Sequence, residues 1–178
     1  MGFYQRWIMP RLIDLAMRNH RLTAYRLRTI GNAHGFVLEI GVGSGQNLLP
    51  YGSAVDHVCA IDPSAELLRL ARNRIANVQV PVSLVRGSAE QIPFADAIFD
   101  TIVMTWTLCS IPNPVAALVE MRRVLKPGGK LLFVEHGLSP ESRVARWQHR
   151  VTPCWKCIAG GCHLDRKMDD LIRRPGSV

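Results

Sequence analysis

The chain of 178 residues is long enough for one domain with its own core and too short for two ordinary ones. A content of 48% hydrophobic and 20% charged residues, with 14 Gly and 11 Pro, excludes a disordered, collagen-like or repeat chain. The net charge of +8 sits in the flanks: residues 1–35 hold six Arg against one Asp, residues 36–135 eight basic against nine acidic, and residues 136–178 eight basic against four acidic. Basic flanks suit an anionic surface, and solubilising charge on exposed helix faces gives the same count.

No apolar run approaches the roughly 18–20 residues that cross a bilayer as a helix. The opening Gly2-Phe3-Tyr4-Gln5-Arg6-Trp7 lacks a continuous apolar stretch followed by a small-residue cleavage site, so the expected location is cytoplasmic. Five cysteines, an odd number in a chain able to build its own core, point to reduced thiols rather than a disulfide framework.

From Arg6 to about Ala33, Trp7, Ile8, Leu12, Leu15, Ala16, Leu22, Tyr25, Leu27 and Ile30 recur at helical spacing, with a break at Asn19-His20. This predicts a helical N-terminal extension over residues 1–35. Its apolar side beside Arg6, Arg11 and Arg18 suits either a lid over a pocket, the preferred reading, or an interfacial helix on a membrane. From Phe36 the pattern changes to strands at Phe36–Ile40, His57–Ile61, Val82–Val85, Phe99–Thr105 and Lys130–Glu135, with helices near Gln46–Leu49, Ala65–Ile75 and Pro114–Leu125. The alternation predicts an α/β, Rossmann-like, doubly wound parallel sheet over residues 36–178. Near-continuous apolar strands mark a sheet covered on both faces, and Pro127-Gly128-Gly129 reads as the turn between the last helix and strand.

Directly after the first strand comes Glu39-Ile40-Gly41-Val42-Gly43-Ser44-Gly45. A dinucleotide fingerprint is G-x-G-x-x-G; here the spacing is G-x-G-x-G with an acid two places ahead, which disfavours an NAD-dependent oxidoreductase. Asp62 ends the second strand, 21 residues after Gly41, where a carboxylate accepts ribose hydroxyls; capping of the helix after Pro63-Ser64 is the competing role. A nucleoside ligand follows.

Val37–Gly45, Ile61-Asp62-Pro63-Ser64, Gly87–Phe94, Phe99-Asp100 and Arg123–Gly129 together resemble the ordered motifs of class I S-adenosylmethionine-dependent methyltransferases. Within that superfamily they resemble the small-molecule group that includes ubiquinone/menaquinone C-methyltransferases. Glu135-His136, Trp147-Gln148, Pro153, Trp155, Gly161–Leu164 and Arg166 are similar to a subgroup of alkyl-thiol methyltransferase-like and bacterial phospholipid N-methyltransferase-like proteins.

The resemblance implies S-adenosyl-L-methionine as cofactor and a methyl transfer to a small-molecule or lipid-like acceptor. It implies that Glu39, Gly41, Gly43 and Gly45 surround the methionine part, Asp62 the ribose, Ser88, Ala89 and Glu90 the adenine, and that Thr105 borders the methyl group. Many relatives carry Asp where this chain has Ser88, which removes one carboxylate acceptor for the adenine amino group. It also implies a final antiparallel pair of strands; after Leu164 the chain offers only a short helical stretch, Lys167–Arg174, and Pro175–Val178. The expectation is therefore a C-terminally truncated sheet of order 3-2-1-4-5 whose fifth strand has a free edge open to homodimerisation.

Methyl transfer from a sulfonium is an in-line displacement, so alignment and exclusion of water matter more than a nucleophilic side chain. Glu135 and His136, near the carboxyl ends of the strands, are the candidate bases for an acceptor that must lose a proton. Trp106 and Cys109 are candidates for lining the acceptor pocket. Cys154-x-x-Cys157-x4-Cys162-His163 has zinc-like ligand types, yet structural thiols are the preferred reading and no metal is expected. A catalytically silent cofactor-binding protein is the main alternative; a nucleic-acid methyltransferase is disfavoured by the absence of an Asn/Asp-Pro-Pro-Tyr motif.

Overall fold

A computed structural model describes residues 3–173, with the side chains at 5 and 6 left aside. After a π-helical turn at Tyr4–Ile8, helices α1 (Met9–Met17) and α2 (His20–Ile30) precede the sheet. The break falls where it was expected: Arg18 ends α1, and Asn19 caps α2 by accepting from the Arg21 amide at 3.0 Å. Strands β1 (Gly35–Ile40), β2 (Val55–Asp62), β3 (Val82–Arg86), β4 (Phe99–Thr105) and β5 (Leu125–Val134) form one parallel sheet in the order β3-β2-β1-β4-β5, as predicted. Helix α3 (Ala65–Ile75) follows β2, and α4 (Pro114–Val124) joins β4 to β5.

The period-two alternation of β1 divides the core. Leu38 and Ile40 pack with Ile102 and Met104 of β4 and with Ala117, Leu118 and Met121 of α4. On the opposite face Val37 packs with Val58, Ala60 and Val103, Leu68 and Ala71 of α3, and Ile30 of α2. Both faces of the central strands are buried, which explains their apolar sequences.

Three boundaries depart from the sequence reading. No helix forms over Gln46–Leu49: residues 43–50 are consecutive turns, with Gly45 N bonded to Val42 O and Leu48 N to Gly45 O, and Pro50 has no amide to extend a ladder. Strand β5 starts at Leu125, opposite Phe99, and Lys126–Gly129 bulge out before pairing resumes at Thr101 with Lys130. A 17-residue helix α5 (Ser142–Ile158) follows the sheet and was not foreseen. The short terminal helix is α6 (Met168–Ile172); Arg174 and Pro175–Val178 lie outside the described residues.

Among the described residues no strand pairs with the outer edge of β5, and no helix is long and apolar enough to cross a membrane.

Candidate active site

The carboxyl ends of β1, β2 and β4 meet around the glycine loop. Gly41, Gly43 and Gly45 all have positive φ, 67°, 55° and 84°. At Gly41 a Cβ would collide with the Thr107 side chain, whereas at Gly43 the nearest atom would be Gly41 O at 3.9 Å, so the backbone there faces open space. The Gly43 amide donates to Asp62 Oδ2 at 2.9 Å, and Asp62 Oδ1 accepts from the Ser64 amide at 2.8 Å. Asp62 thus ties the cradle to β2, while the cap of α3 is Ser64, whose Oγ accepts from Leu67 N at 3.2 Å. Burial pushes the Asp62 carboxyl up in pKa, against the pull of its two backbone donors.

Glu39 stands on the α2–α3 face of β1 and is 1% exposed. Its Oε2 accepts from the Tyr51 hydroxyl at 3.0 Å, and its Oε1 has no hydrogen-bond partner. Burial raises its pKa to about 7, opposed by the Tyr51 bond, the nearby Asn47 amide and the positive charge of Arg26. Arg26, 3% exposed on α2, donates from Nε to Asn47 Oδ1 at 2.5 Å and lies 5.3 Å from the Trp106 ring centre. Asn47 in turn donates from Nδ2 to Thr105 Oγ1 at 2.9 Å, which puts Thr105 at the end of β4 in the same network. Trp106 follows with a φ of 50°, a strained value for an aromatic residue and one concentrated at working sites.

Ser88, Ala89 and Glu90 follow β3, beside the end of β2: Asp62 pairs with Arg86, and Gly87 N bonds Asp62 O at 3.3 Å. Ser88 Oγ donates to Glu90 Oε2 at 3.1 Å, and Glu90 Oε1 accepts from Asn113 N at 2.7 Å.

Glu135 closes the far side. Its Oε1 accepts from the amides of Thr107 at 2.5 Å and Leu108 at 2.7 Å, pinning the loop after β4, while buried Oε2 has no partner. Burial pushes its pKa up to about 7. His136 is turned away: its Nε2 lies 3.2 Å from Cys162 Sγ. Cys154 and Cys157 are exposed on α5, so the contiguous zinc-like run is not assembled.

The sequence reading missed the latch over the site. Asp14 of α1, buried, accepts from Arg18 Nη2 at 2.6 Å, Arg74 Nη2 at 2.8 Å and Gln46 Nε2 at 2.9 Å; against desolvation, the Ser44 hydroxyl, Arg18, Gln46 and the charge of Arg74 hold its pKa low. Arg74 also donates to Ser44 O in the glycine loop. One signal was available: Asp14 is the only acid in the first 35 residues and lies within an apolar helix.

A cavity of about 90 Å³ remains between Ile13, Met17 and Arg26 on one side and the glycine loop, Thr105 and Trp106 on the other. That is room for about three waters, against roughly 300–1,000 Å³ for a small-molecule site. The residues nevertheless fit an adenosyl sulfonium amino acid: a bare glycine backbone for close approach, an unpartnered buried carboxylate oxygen for its positive charge, and Asp62 at the cradle.

A glycine cradle tied to a strand-end carboxylate, at the carboxyl edge of a 3-2-1-4-5 sheet, defines the class of Rossmann-like nucleoside-binding proteins. The chain belongs to the methyltransferase-domain family, which matches residues 38–133, just over half of it. It is 36% identical over 137 residues to thiol S-methyltransferase TMT1B of Rattus norvegicus, covering 74% of this chain and 55% of the relative. It is 36% identical over 99 residues to demethylmenaquinone methyltransferase of Renibacterium salmoninarum, covering 56% and 40%. A SAM-dependent methyltransferase from Thermotoga maritima superposes with a TM-score of 0.69 at 26% identity, covering 96% of this chain and 77% of that one. The chain spans 55–58% of the length of the TMT1B relatives it matches.

Proposed function

We propose that this chain transfers the methyl group of S-adenosyl-L-methionine to a small-molecule thiol. The observation that carries the cofactor assignment is the 2.9 Å bond between the Gly43 amide and Asp62, which gathers the bare loop and the ribose-type acceptor in one place. The thiol is favoured over a quinone by identity at equal reach: TMT1B matches at 36% over 137–144 residues, against 34% over 134 and 32% over 148 residues for quinone-type methyltransferases.

In this reading Glu39 and the three glycines hold the methionine part, Asp62 the ribose, Ser88, Ala89 and Glu90 the adenine, and Thr105 borders the methyl group. When bound, the cofactor supplies an electrophilic methyl on a positively charged sulfur. The chain's own part is placement and dryness: Glu39 Oε1 gives that charge a buried counter-charge, and Trp106 and Arg26 wall the methyl side from water. Of the two strand-end candidates, Glu135 meets the acceptor's proton, through the oxygen that has no protein partner; His136 is occupied by Cys162. Residues 1–35 act as the lid of a methyltransferase domain over residues 36–178, with Asp14 and Arg26 as its fastenings.

The proposed setting is the cytoplasm with peripheral membrane contact. Phe3, Trp7, Leu12 and Leu15 are exposed at the N-terminus, in the most basic part of the chain. Failure to sediment with anionic vesicles at low salt would remove that contact. Among the described residues no strand pairs with the outer edge of β5, which supports pairing with a second copy; sedimentation velocity tests this.

Calorimetry of the full chain with S-adenosyl-L-methionine, beside NADH, tests the cofactor: uptake of the first alone, lost in Asp62→Ala, is expected. A methylation assay on an alkyl thiol and on a demethylated menaquinone then separates the acceptors. Cofactor uptake without turnover on either would leave a silent binding protein.

A further inference from the structure

Behind the acceptor side of the site, three soft donors from distant parts of the chain converge. Cys109 comes from the loop after β4, His136 from the end of β5, and Cys162 from the turn after α5. Their ligand atoms all lie within 4.8 Å of one another, with His136 Nε2 3.2 Å from Cys162 Sγ. We propose that Cys109, His136 and Cys162 form a binding site for a zinc-type divalent ion, with three protein ligands and one open position.

Two sulfurs and one imidazole are a donor set that tetrahedral zinc takes, and three protein ligands leave the fourth position to water or an incoming thiol. Side-chain carboxylates, which would favour a harder ion, are absent from the triad itself. The backbone around the donors is fixed. His163 N bonds Cys109 O at 2.9 Å, and Leu138 N bonds Arg166 O at 2.8 Å. Gln148 grips the segment after His136 at both ends, donating to Gly137 O at 3.0 Å and accepting from Ser139 N at 2.8 Å. Such outer bonds orient metal ligands. Cys109 is 2% exposed, whereas His136 and Cys162 are only partly buried, so an ion has an entry side. The set shares only Cys162 with the contiguous Cys154–His163 run.

The ion would add one shared tie to the β4 loop, the end of β5 and the segment beyond α5, which backbone bonds already hold side by side. The inference stands apart from the cofactor reading and does not depend on it.

The test is titration of the full chain, reduced and freed of metal, with Zn²⁺ and with Co²⁺ as a spectroscopic probe. One equivalent of Co²⁺ giving thiolate charge-transfer and tetrahedral ligand-field bands, displaced by Zn²⁺, is expected. Cys162→Ser and His136→Ala should each weaken Co²⁺ binding at least about tenfold, the loss seen even for outer partners. The Cys154→Ser/Cys157→Ser double variant, altered only on the exposed face of α5, should bind as before. Because Cys109→Ser disturbs a buried position, circular dichroism accompanies each variant. No Co²⁺ bands in folded wild-type protein, undiminished binding in folded Cys162→Ser, loss in the double variant, or a Cys109–Cys162 disulfide in freshly isolated protein would each overturn the site.

Discussion

Asp14 in α1 and Arg74 in α3 meet at 2.8 Å across 60 residues of chain, and Arg74 holds the Ser44 carbonyl of the glycine loop as well. One guanidinium therefore fastens both α1 and the cradle beside it. Asp14→Ala removes the carboxylate that Arg18, Arg74 and Gln46 share. It should cost about 1–2 kcal/mol of stability, because the partly buried Arg74 and Gln46 lose their acceptor, and should raise the association rate of the cofactor severalfold. Thermal unfolding and stopped-flow binding measure the two; an unchanged association rate would reject the lid.

Gly41 and Gly43 separate folding from binding. Alanine at Gly41 strikes Thr107, so Gly41→Ala should chiefly lose stability. Alanine at Gly43 meets open space at a positive φ, so Gly43→Ala should lose only about 1–2 kcal/mol from backbone strain. Its methyl fills the room a ligand needs, and cofactor affinity should fall at least about tenfold. Equal affinities for wild type and Gly43→Ala would contradict this.

Glu39 sets a pH dependence whose sign is fixed. Its folded pKa of about 7 lies above the ordinary 4.5, so the folded state keeps a proton that the unfolded chain releases. Its contribution is neutral below about pH 4.5, and stability then declines as pH rises, by roughly 3 kcal/mol in all once pH passes 7. Glu39→Gln should lack this component, visible as the difference between the two urea-unfolding profiles from pH 5 to 8. A cationic ligand prefers the ionised carboxylate, so cofactor affinity of wild type should rise over the same range with release of a proton. Parallel profiles for the two proteins would refute the assignment.

Glu135→Gln keeps an oxygen for the Thr107 and Leu108 amides but replaces the unpartnered oxygen with a donor. With a thiol acceptor, kcat/KM should drop about tenfold to a hundredfold, the worth of one hydrogen bond to a charged group. Cofactor Kd, read by calorimetry, should stay within about threefold. A cofactor Kd that moved as far as kcat/KM would assign Glu135 to the scaffold alone.

The cradle was legible in the sequence because its determinants are local: a strand, a glycine turn and an acid at the end of the next strand all write themselves in consecutive residues. The short Gln46–Leu49 helix misled because its four residues stop at Pro50, too few to close a ladder. Helix α5 carries Val144, Trp147, Val151, Trp155 and Ile158 at helical spacing, but several of these are exposed and Arg and Cys fill the gaps, so the stripe was obscured. The latch was out of reach for another reason. Asp14 with Arg74, Arg26 with Asn47, and Cys109 with Cys162 are pairings made by the fold, and no local pattern announces them.

The helices that cover the cradle precede every strand they rest on. During synthesis α1 and α2 leave the ribosome before Asn47, Arg74 and Trp106, which receive them. These helices thus find their seat only after the strands beneath them exist, and a ligand that settles while the seat is vacant would be enclosed as assembly finishes.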